Sequence, residues 1–263
     1  MAELKELEKG FFDTLTVLRD VLPQMVVVGG WCPYIYALHL WKKPIPEIPT
    51  TTDIDLGVLE TGNTRYEKTV YDRLKSAGFG LERIYDEEET PIEFIYKKKD
   101  LKLKIEFITS FETSDDTLNR FLGSGLACNR IEAFELLLRE TESIPLKAGK
   151  AIINLAVPTP EMFLYHKGIT FVMRSAEFKR NKDLFYLYFI LRFHPDREKI
   201  LDALKRFKQD DYFQAFKENI KEYLSDISSP GYLILRPFLQ SSIAESEINA
   251  DIKETFSSVL KLF

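Results

Sequence analysis

Residues 25–31 read MVVVGGW, and residues 53–59 read DIDLGVL. The first stretch predicts a short buried strand that ends at two glycines and leads into a helix over residues 31–41. The second stretch predicts another strand, which opens with Asp53 and Asp55. These two stretches combine apolar strand residues with groups that can bind phosphate or metal, so they set the expected fold and the expected site.

Asp53 and Asp55 stand two residues apart, so on a strand both side chains point to the same face. Two ionised carboxylates this close repel each other unless a cation lies between them, and carboxylates are the ligands that Mg²⁺ prefers. A solvated acidic strand end is the alternative. Haloacid-dehalogenase-type phosphatases place such a pair at the end of an apolar strand, whereas here the apolar residues follow the acids. About 50 residues precede the pair, which is too few for the nucleotide-sugar domain of a metal-dependent glycosyltransferase.

Gly29 and Gly30 stand between the first strand and the helix. Glycines at this point present backbone N–H groups at a helix N-terminus, which is a natural phosphate cradle. Two glycines alone are most often only a tight turn. The dinucleotide-binding GxGxxG pattern and the GxxxxGK[ST] phosphate loop are both absent from the sequence, which disfavours those two nucleotide-binding folds.

Taken in order, the two motifs resemble the DNA polymerase β-like nucleotidyltransferase superfamily. That pattern has an apolar residue before Gly-Gly or Gly-Ser, then Asp-x-Asp, then a third carboxylate on a later strand. The matching residues are Val28-Gly29-Gly30, Asp53-Ile54-Asp55 and Glu106 within Lys104-Ile105-Glu106-Phe107. Glutamate stands third where aspartate is commoner, and the segment before Asp53 lacks the arginine of many relatives.

The resemblance implies an α/β (α+β) nucleotidyltransferase fold with a mixed sheet, followed by a helical domain. The expected boundary is the Pro158-Thr159-Pro160 stretch, which gives a catalytic domain over residues 1–158 and a helical domain over 159–263. Asp53, Asp55 and Glu106 are the implied catalytic residues and ligands of one or two Mg²⁺ ions. Gly29 and Gly30 are the implied contacts of an NTP substrate, whose nucleoside monophosphate passes to an acceptor with release of pyrophosphate.

The segment 160–167, with Lys182-Asp183 further on, looks like the helical part of AbiEii-type toxins and similar bacterial transferases. This likeness implies a nucleotide phosphate contact for Lys167. A lysine stem packed on an amphipathic helix, with its charge in solvent, is the alternative for that residue. The implied acceptor is a tRNA end, a protein hydroxyl or a small molecule such as an aminoglycoside. A toxin with a cognate antitoxin as partner is the biological role that the likeness suggests.

Glu106 shares its predicted strand face with Lys102 and Lys104, so a surface ion pair is the alternative to a metal ligand. Glu93, on the preceding predicted strand, is the substitute third acid. For the whole chain, a catalytically inactive relative that binds a nucleotide or a protein partner is the alternative function.

The amino-acid composition disfavours several other classes of protein. The chain has 36 Lys and Arg against 41 Asp and Glu, a net charge of -5, which disfavours a general nucleic-acid binder. Cys32 and Cys128 form no CxxC motif, so neither a disulfide framework nor a zinc site is expected. The charged start MAELKELEKG and the lack of a long apolar run predict a cytoplasmic protein without a membrane partner.

The remaining pattern predicts a first helix over residues 2–22, further helices over 65–77 and 130–140, and strands over 92–97, 101–108, 144–146 and 151–157. From Pro160 onward the apolar spacing is helical throughout.

Overall fold

The computed structural model of this chain describes residues 2–43, 51–59, 66–83, 92–98, 101–148 and 151–263. The chain divides into two compact units. The first consists of Met1–Tyr34 and Thr50–Pro158, and the second of Ile35–Pro49 and Thr159–Phe263. In the described ranges, no helix has the length and apolar character needed to cross a membrane.

Among the described residues, six strands form the mixed sheet of the first unit. They are β1 (Met25–Val28), β2 (Asp53–Val58), β3 (Gly80–Arg83), β4 (Ile92–Lys98), β5 (Leu101–Thr109) and β6 (Asn129–Arg130). The main order is β1-β2-β5-β4-β3, and the short β6 pairs with β5. β5 is parallel to β2 and β6, whereas the other pairs are antiparallel. This mixed sheet, together with the helices below, confirms the predicted fold class.

Strand alternation gives β2 and β5 an apolar face, and it places their charged side chains on the opposite face. The apolar face includes Ile54 and Leu56 of β2 and Ile105 and Phe107 of β5, each at most 1% exposed. Burial of side chains of this size stabilises a fold by about 1.5–3 kcal/mol each. The intervening positions of the same two strands carry the acids, so the core packing also orients the acids away from the core.

Helix α1 (Ala2–Leu18) packs against β4 and β5. Its Asp13 accepts a 2.9 Å hydrogen bond from the hydroxyl of Tyr96 on β4. The helix was predicted to reach Leu22, but it ends at Leu18, and a 3₁₀ turn, Leu22–Gln24, leads into β1. Pro23 lies inside that turn and restricts the backbone there.

The predicted helix after the two glycines is present, but its second half is widened. Helix α2 (Trp31–Ile35) continues as a π-helix, Tyr36–Leu40. Helix α3 (Val70–Ser76) is capped by Thr69 and Asp72, which bond reciprocally in a capping box. The helix was predicted to begin near residue 65, but residues 66–69 are not helical and the helix begins at Val70, after its cap Thr69. Residue 65 itself lies outside the described residues.

The sequence prediction was wrong for most of residues 130–140. That stretch begins as part of β6, and only α5 (Leu136–Arg139) is helical. Ala133 has a φ of 54°, a left-handed conformation that a helix cannot contain. Helix α4 (Asp115–Leu122) was not predicted, although Ser114 caps it by accepting from the backbone N–H of Thr117. The unit closes with an antiparallel hairpin of β7 (Thr141–Ala148) and β8 (Ala151–Pro158).

From Pro160 onward the second unit is helical, as predicted. Its helices are α6 (Pro160–Thr170), α7 (Glu177–Phe193), α8 (Arg197–Arg206), α9 (Phe213–Leu224), α10 (Pro230–Leu239) and α11 (Ile248–Leu260). Thr159 caps α6 by accepting a hydrogen bond from the backbone N–H of Met162, and Pro160 occupies the first turn, where its missing N–H does no harm. Tyr36 packs edge-to-face on Phe163 within this unit.

Candidate active site in the first unit

The strand register brings the predicted acids to neighbouring positions. β2 and β5 are parallel, and Asp55 pairs with Glu106 across them. Directly paired residues of adjacent strands point to the same face, and Asp53 shares that face because it lies two residues before Asp55. Asp53, Asp55 and Glu106 therefore stand at neighbouring positions on the same face of the sheet.

The turn after β1 lies against the same acids. Val28, the last residue of β1, pairs with Asp55. Gly29 follows with a φ of 67°, a conformation that favours glycine. A Cβ atom at position 29 would stand 1.8 Å from Oδ2 of Asp55. The carboxylate of Asp55 thus occupies the space that any other residue at position 29 would need for its side chain.

Lys104 lies beside the three acids. Its ammonium is 2.8 Å from Oε1 of Glu106 and 2.8 Å from Oε2 of Glu93. Partial burial tends to lower the pKa of Lys104, but the hydrogen bonds to Glu106 and Glu93 outweigh this effect, so the pKa lies above its ordinary value. The ion pair that the sequence offered as the alternative for Glu106 is therefore present, and Glu93, the substitute third acid, shares its cation.

The chemistry of the donors fits a hard divalent cation. Asp53, Asp55 and Glu106 offer carboxylate oxygens from adjacent positions of two strands, which suits Mg²⁺. Within the described part of the chain, no group of three or more His, Cys, Asp or Glu side chains is arranged to hold a metal ion as it stands. Oε1 of Glu106 already contacts the ammonium of Lys104, so a metal ion held by Asp53, Asp55 and Glu106 would compete with that ammonium for the Glu106 carboxylate.

The sequence also matches a family model described as Nucleotidyltransferase, over residues 15–210. The match covers more than half of the 263 residues. This chain belongs to the nucleotidyltransferase family. No curated protein matches it by sequence. Among solved structures it is similar to an antigenic nucleotidyltransferase-like protein from Paracoccidioides brasiliensis, with 15% identity, a TM-score of 0.47 and 92% of each chain covered.

In this member of the nucleotidyltransferase family, Lys167 lies on α6 of the second unit and is only 4% exposed. Its ammonium donates a 2.8 Å hydrogen bond to Asp183 of α7, and Nε of Arg174 donates to the other carboxylate oxygen at 3.0 Å. A lysine that carries its charge into solvent does not fit this burial. The predicted phosphate contact of Lys167 stays a prediction, and the structure gives its ammonium a different partner.

Asp183 is the centre of that buried cluster. Burial alone would raise the pKa of its carboxyl group, but the positive charges of Lys167 and Arg174 outweigh burial and hold the pKa below its ordinary value. Asp183 is therefore ionised at neutral pH and balances the charge of Lys167. The cluster joins α6 and α7 and explains why two charged residues can lie inside the helical unit.

Proposed function

We propose that this protein transfers a nucleoside monophosphate from an NTP to a hydroxyl acceptor in a Mg²⁺-dependent reaction that releases pyrophosphate. The observation that carries the proposal is the register of β2 and β5, in which Asp55 pairs with Glu106 and Asp53 shares their face. Membership of the nucleotidyltransferase family supports the reaction class.

The chain's own residues have distinct roles in this proposal. Asp53, Asp55 and Glu106 hold Mg²⁺ through their carboxylates. When bound, the ion neutralises negative charge on the phosphates and makes the acceptor hydroxyl more acidic. Gly29, without a side chain, leaves room for the carboxylate of Asp55 beside the turn. Gly29 and Gly30 offer backbone N–H groups to phosphate oxygens.

The acceptor carries a hydroxyl group on a tRNA end, a protein or a small molecule, and the reaction takes place in the cytoplasm. A toxin role, neutralised by a cognate antitoxin, belongs to the same proposal because of the AbiEii-type resemblance. Expression in a bacterial host tests that role. The unaltered chain is expected to arrest growth, and the double variant Asp53→Asn/Asp55→Asn is expected not to.

A binding module without catalysis is the alternative function, and one contact favours it. Lys104 already neutralises Glu106 in the structure, at 2.8 Å, as a metal ion would. A chain that kept the fold but lost the chemistry could hold its acids in this way. The two functions differ in whether NTP is consumed.

A transfer assay with labelled NTPs, total tRNA and cell lysate tests the proposed function. Label is expected to enter an acceptor only when Mg²⁺ is present. Asp53→Asn/Asp55→Asn is expected to lower transfer by several orders of magnitude, because charge stabilisation by metal supplies much of the barrier reduction. In EDTA the same variant is expected to be as stable as the unaltered chain, or more stable by about 1 kcal/mol, because two repelling charges are removed.

Asp116→Asn is the matched control for this experiment, because it removes an exposed acid of α4 in the same unit. It is expected to keep full transfer. Retained activity in the Asp53/Asp55 double variant, or a marked loss of its stability in EDTA, would show that this acid pair has a structural role and not a catalytic one.

A further inference from the structure

Lys104 brings a positive charge to the proposed metal ligands. It lies on β5 two residues before Glu106, so the two side chains share a face. In the register of β2 and β5 it pairs with Asp53, and its ammonium contacts both Glu106 and Glu93. A divalent ion bound by Asp53, Asp55 and Glu106 would therefore meet this ammonium at close range.

The two glutamates that share Lys104 differ in their other surroundings. Glu106 stands directly beside Asp55, so a metal ion can replace Lys104 as its cation. Glu93 lies on β4, on the far side of β5 from β2, and is one strand further from Asp55. Its side chain is only 8% exposed, and a buried carboxylate without a cation is strongly disfavoured. Glu93 therefore needs Lys104 both with and without metal.

We propose that Lys104 is a positioning residue that bridges Glu106 and Glu93 in the metal-free protein and stays on Glu93 when Glu106 turns to the metal ion. Lys104 occupies the third acid before metal arrives, and its charge lowers the affinity of the site for metal. Glu93 acts only through Lys104, by keeping the ammonium away from the metal ion. This inference rests on the metal site of the proposed function.

Binding of Mn²⁺ to the whole 263-residue chain tests the inference without any measurement of transfer. Free Mn²⁺ is counted by its paramagnetic resonance signal during a titration. Lys104→Met removes the charge that competes for Glu106, so Mn²⁺ is expected to bind about fivefold more tightly or better, the low end of typical coupling between two sites. Glu93→Gln leaves Lys104 on Glu106 alone, so Mn²⁺ is expected to bind more weakly.

The double variant Lys104→Met/Glu93→Gln removes both the ammonium and the buried carboxylate that depends on it. It is expected to bind Mn²⁺ as tightly as Lys104→Met, and it provides the measurement if Lys104→Met alone fails to fold. Lys102→Met is the matched control. Lys102 lies two residues earlier on the same strand face, but it is half exposed and pairs with Glu82 at 2.9 Å. It is expected to leave Mn²⁺ affinity within about twofold, because solvent screens exposed charges.

Three results would overturn the inference. The first is an Mn²⁺ affinity that is unchanged or weaker in both Lys104→Met and Lys104→Met/Glu93→Gln. Glu93→Gln could weaken binding equally with and without Lys104, which would make Glu93 a direct ligand. Lys102→Met could tighten binding as much as Lys104→Met. The variant Asp55→Asn distinguishes these results from a failure of the proposed function. If Asp55→Asn binds Mn²⁺ as tightly as the unaltered chain, Asp55 is not a metal ligand and the proposed metal site is wrong.

Discussion

The carboxylate of Asp55 lies beside the backbone of Gly29, in the space that a Cβ atom at position 29 would need. Gly29 has a φ of 67°, and a Cβ atom there would stand 1.8 Å from the carboxylate of Asp55. Two separate physical constraints therefore require glycine. One is the left-handed backbone, and the other is the position of an acid that we assign to metal binding.

The variant Gly29→Ala is expected to be less stable and to bind Mn²⁺ more weakly. The left-handed backbone alone disfavours alanine by about 1–2 kcal/mol. The added methyl group must also displace Asp55, which moves a proposed ligand. Thermal melting and Mn²⁺ titration measure the two effects separately.

Gly78→Ala is the matched control for this prediction. Gly78 has a φ of 81°, but a Cβ atom there would meet nothing within 4 Å. Gly78→Ala is expected to lose the same amount of stability from its left-handed backbone and to keep its Mn²⁺ affinity. If Gly29→Ala bound Mn²⁺ as well as Gly78→Ala does, Asp55 would not be a metal ligand.

At the level of elements, charged residues join two helices inside the second unit. Lys167 of α6 and Asp183 of α7 are each 4% exposed, and Arg174 completes the contact from the connection between them. Removal of one member of a buried pair leaves the other charge without a partner, which is strongly destabilising. The packing of α6 on α7 thus depends on a balance of charge as well as on apolar contacts.

Asp183→Asn is expected to lower the free energy of unfolding by about 3–5 kcal/mol, the range for breaking a buried pair. Because the folded pKa of Asp183 is lowered, its stabilising contribution is complete above the unfolded pKa, about 3.9, and is lost as pH falls through the folded pKa. The unaltered chain and the variant should therefore converge in stability at the acid end of a urea denaturation series.

Asp202→Asn is the control, because Asp202 pairs with Lys205 on the exposed surface of α8. It is expected to change stability by less than about 1 kcal/mol. The Lys167→Met variant distinguishes a packing role of Lys167 from a phosphate contact. A role in packing predicts lower stability, whereas the phosphate contact predicted from sequence would appear as weaker NTP binding with stability unchanged.

The elements also show where sequence patterns predict structure and where they do not. β1, β2 and β5 were predicted almost to the residue, because their apolar residues are continuous or alternate strictly. β3 was missed because it is an edge strand whose last three residues are exposed. The helix predicted over residues 130–140 depended on apolar spacing, which carries no information about the left-handed backbone at Ala133.

For the candidate site, the spacing of Asp53 and Asp55 predicted that they share a face. Their position opposite Glu106 depends on how two strands far apart in sequence align, which no local pattern contains. The resemblance to a known superfamily supplied that pairing. The bridge from Lys104 to Glu93 could not be predicted, because it depends on β4 lying next to β5.

At the scale of the whole molecule, the second unit is built from two separate stretches of chain. Ile35–Pro49 belongs to it together with Thr159–Phe263, whereas the domain boundary predicted from sequence lay in the Pro158-Thr159-Pro160 stretch. Trp41 stacks on Phe189 with ring centroids 6.1 Å apart, and its ring contacts His194 edge-on. The early stretch therefore packs aromatic side chains onto those of the later helices.

The fragment 159–263 is expected to be less compact and less cooperative than the same helices in the full chain. Loss of the early stretch uncovers apolar surface on Phe163 and Phe189, since Tyr36 and Trp41 no longer cover them. Circular dichroism melting and binding of a hydrophobic dye measure the change. Addition of a peptide of residues 35–49 is expected to reverse it, and a fragment that melts sharply without the peptide would contradict the prediction.

The divided second unit also bears on how such a protein can arise. Joining two genes end to end produces domains that follow one another along the chain, each from one continuous stretch. A helical unit that includes residues 35–49 from within the other unit's sequence does not follow this pattern. Recombination at residue 158 alone would therefore separate the later helices from Tyr36 and Trp41, which pack on Phe163 and Phe189.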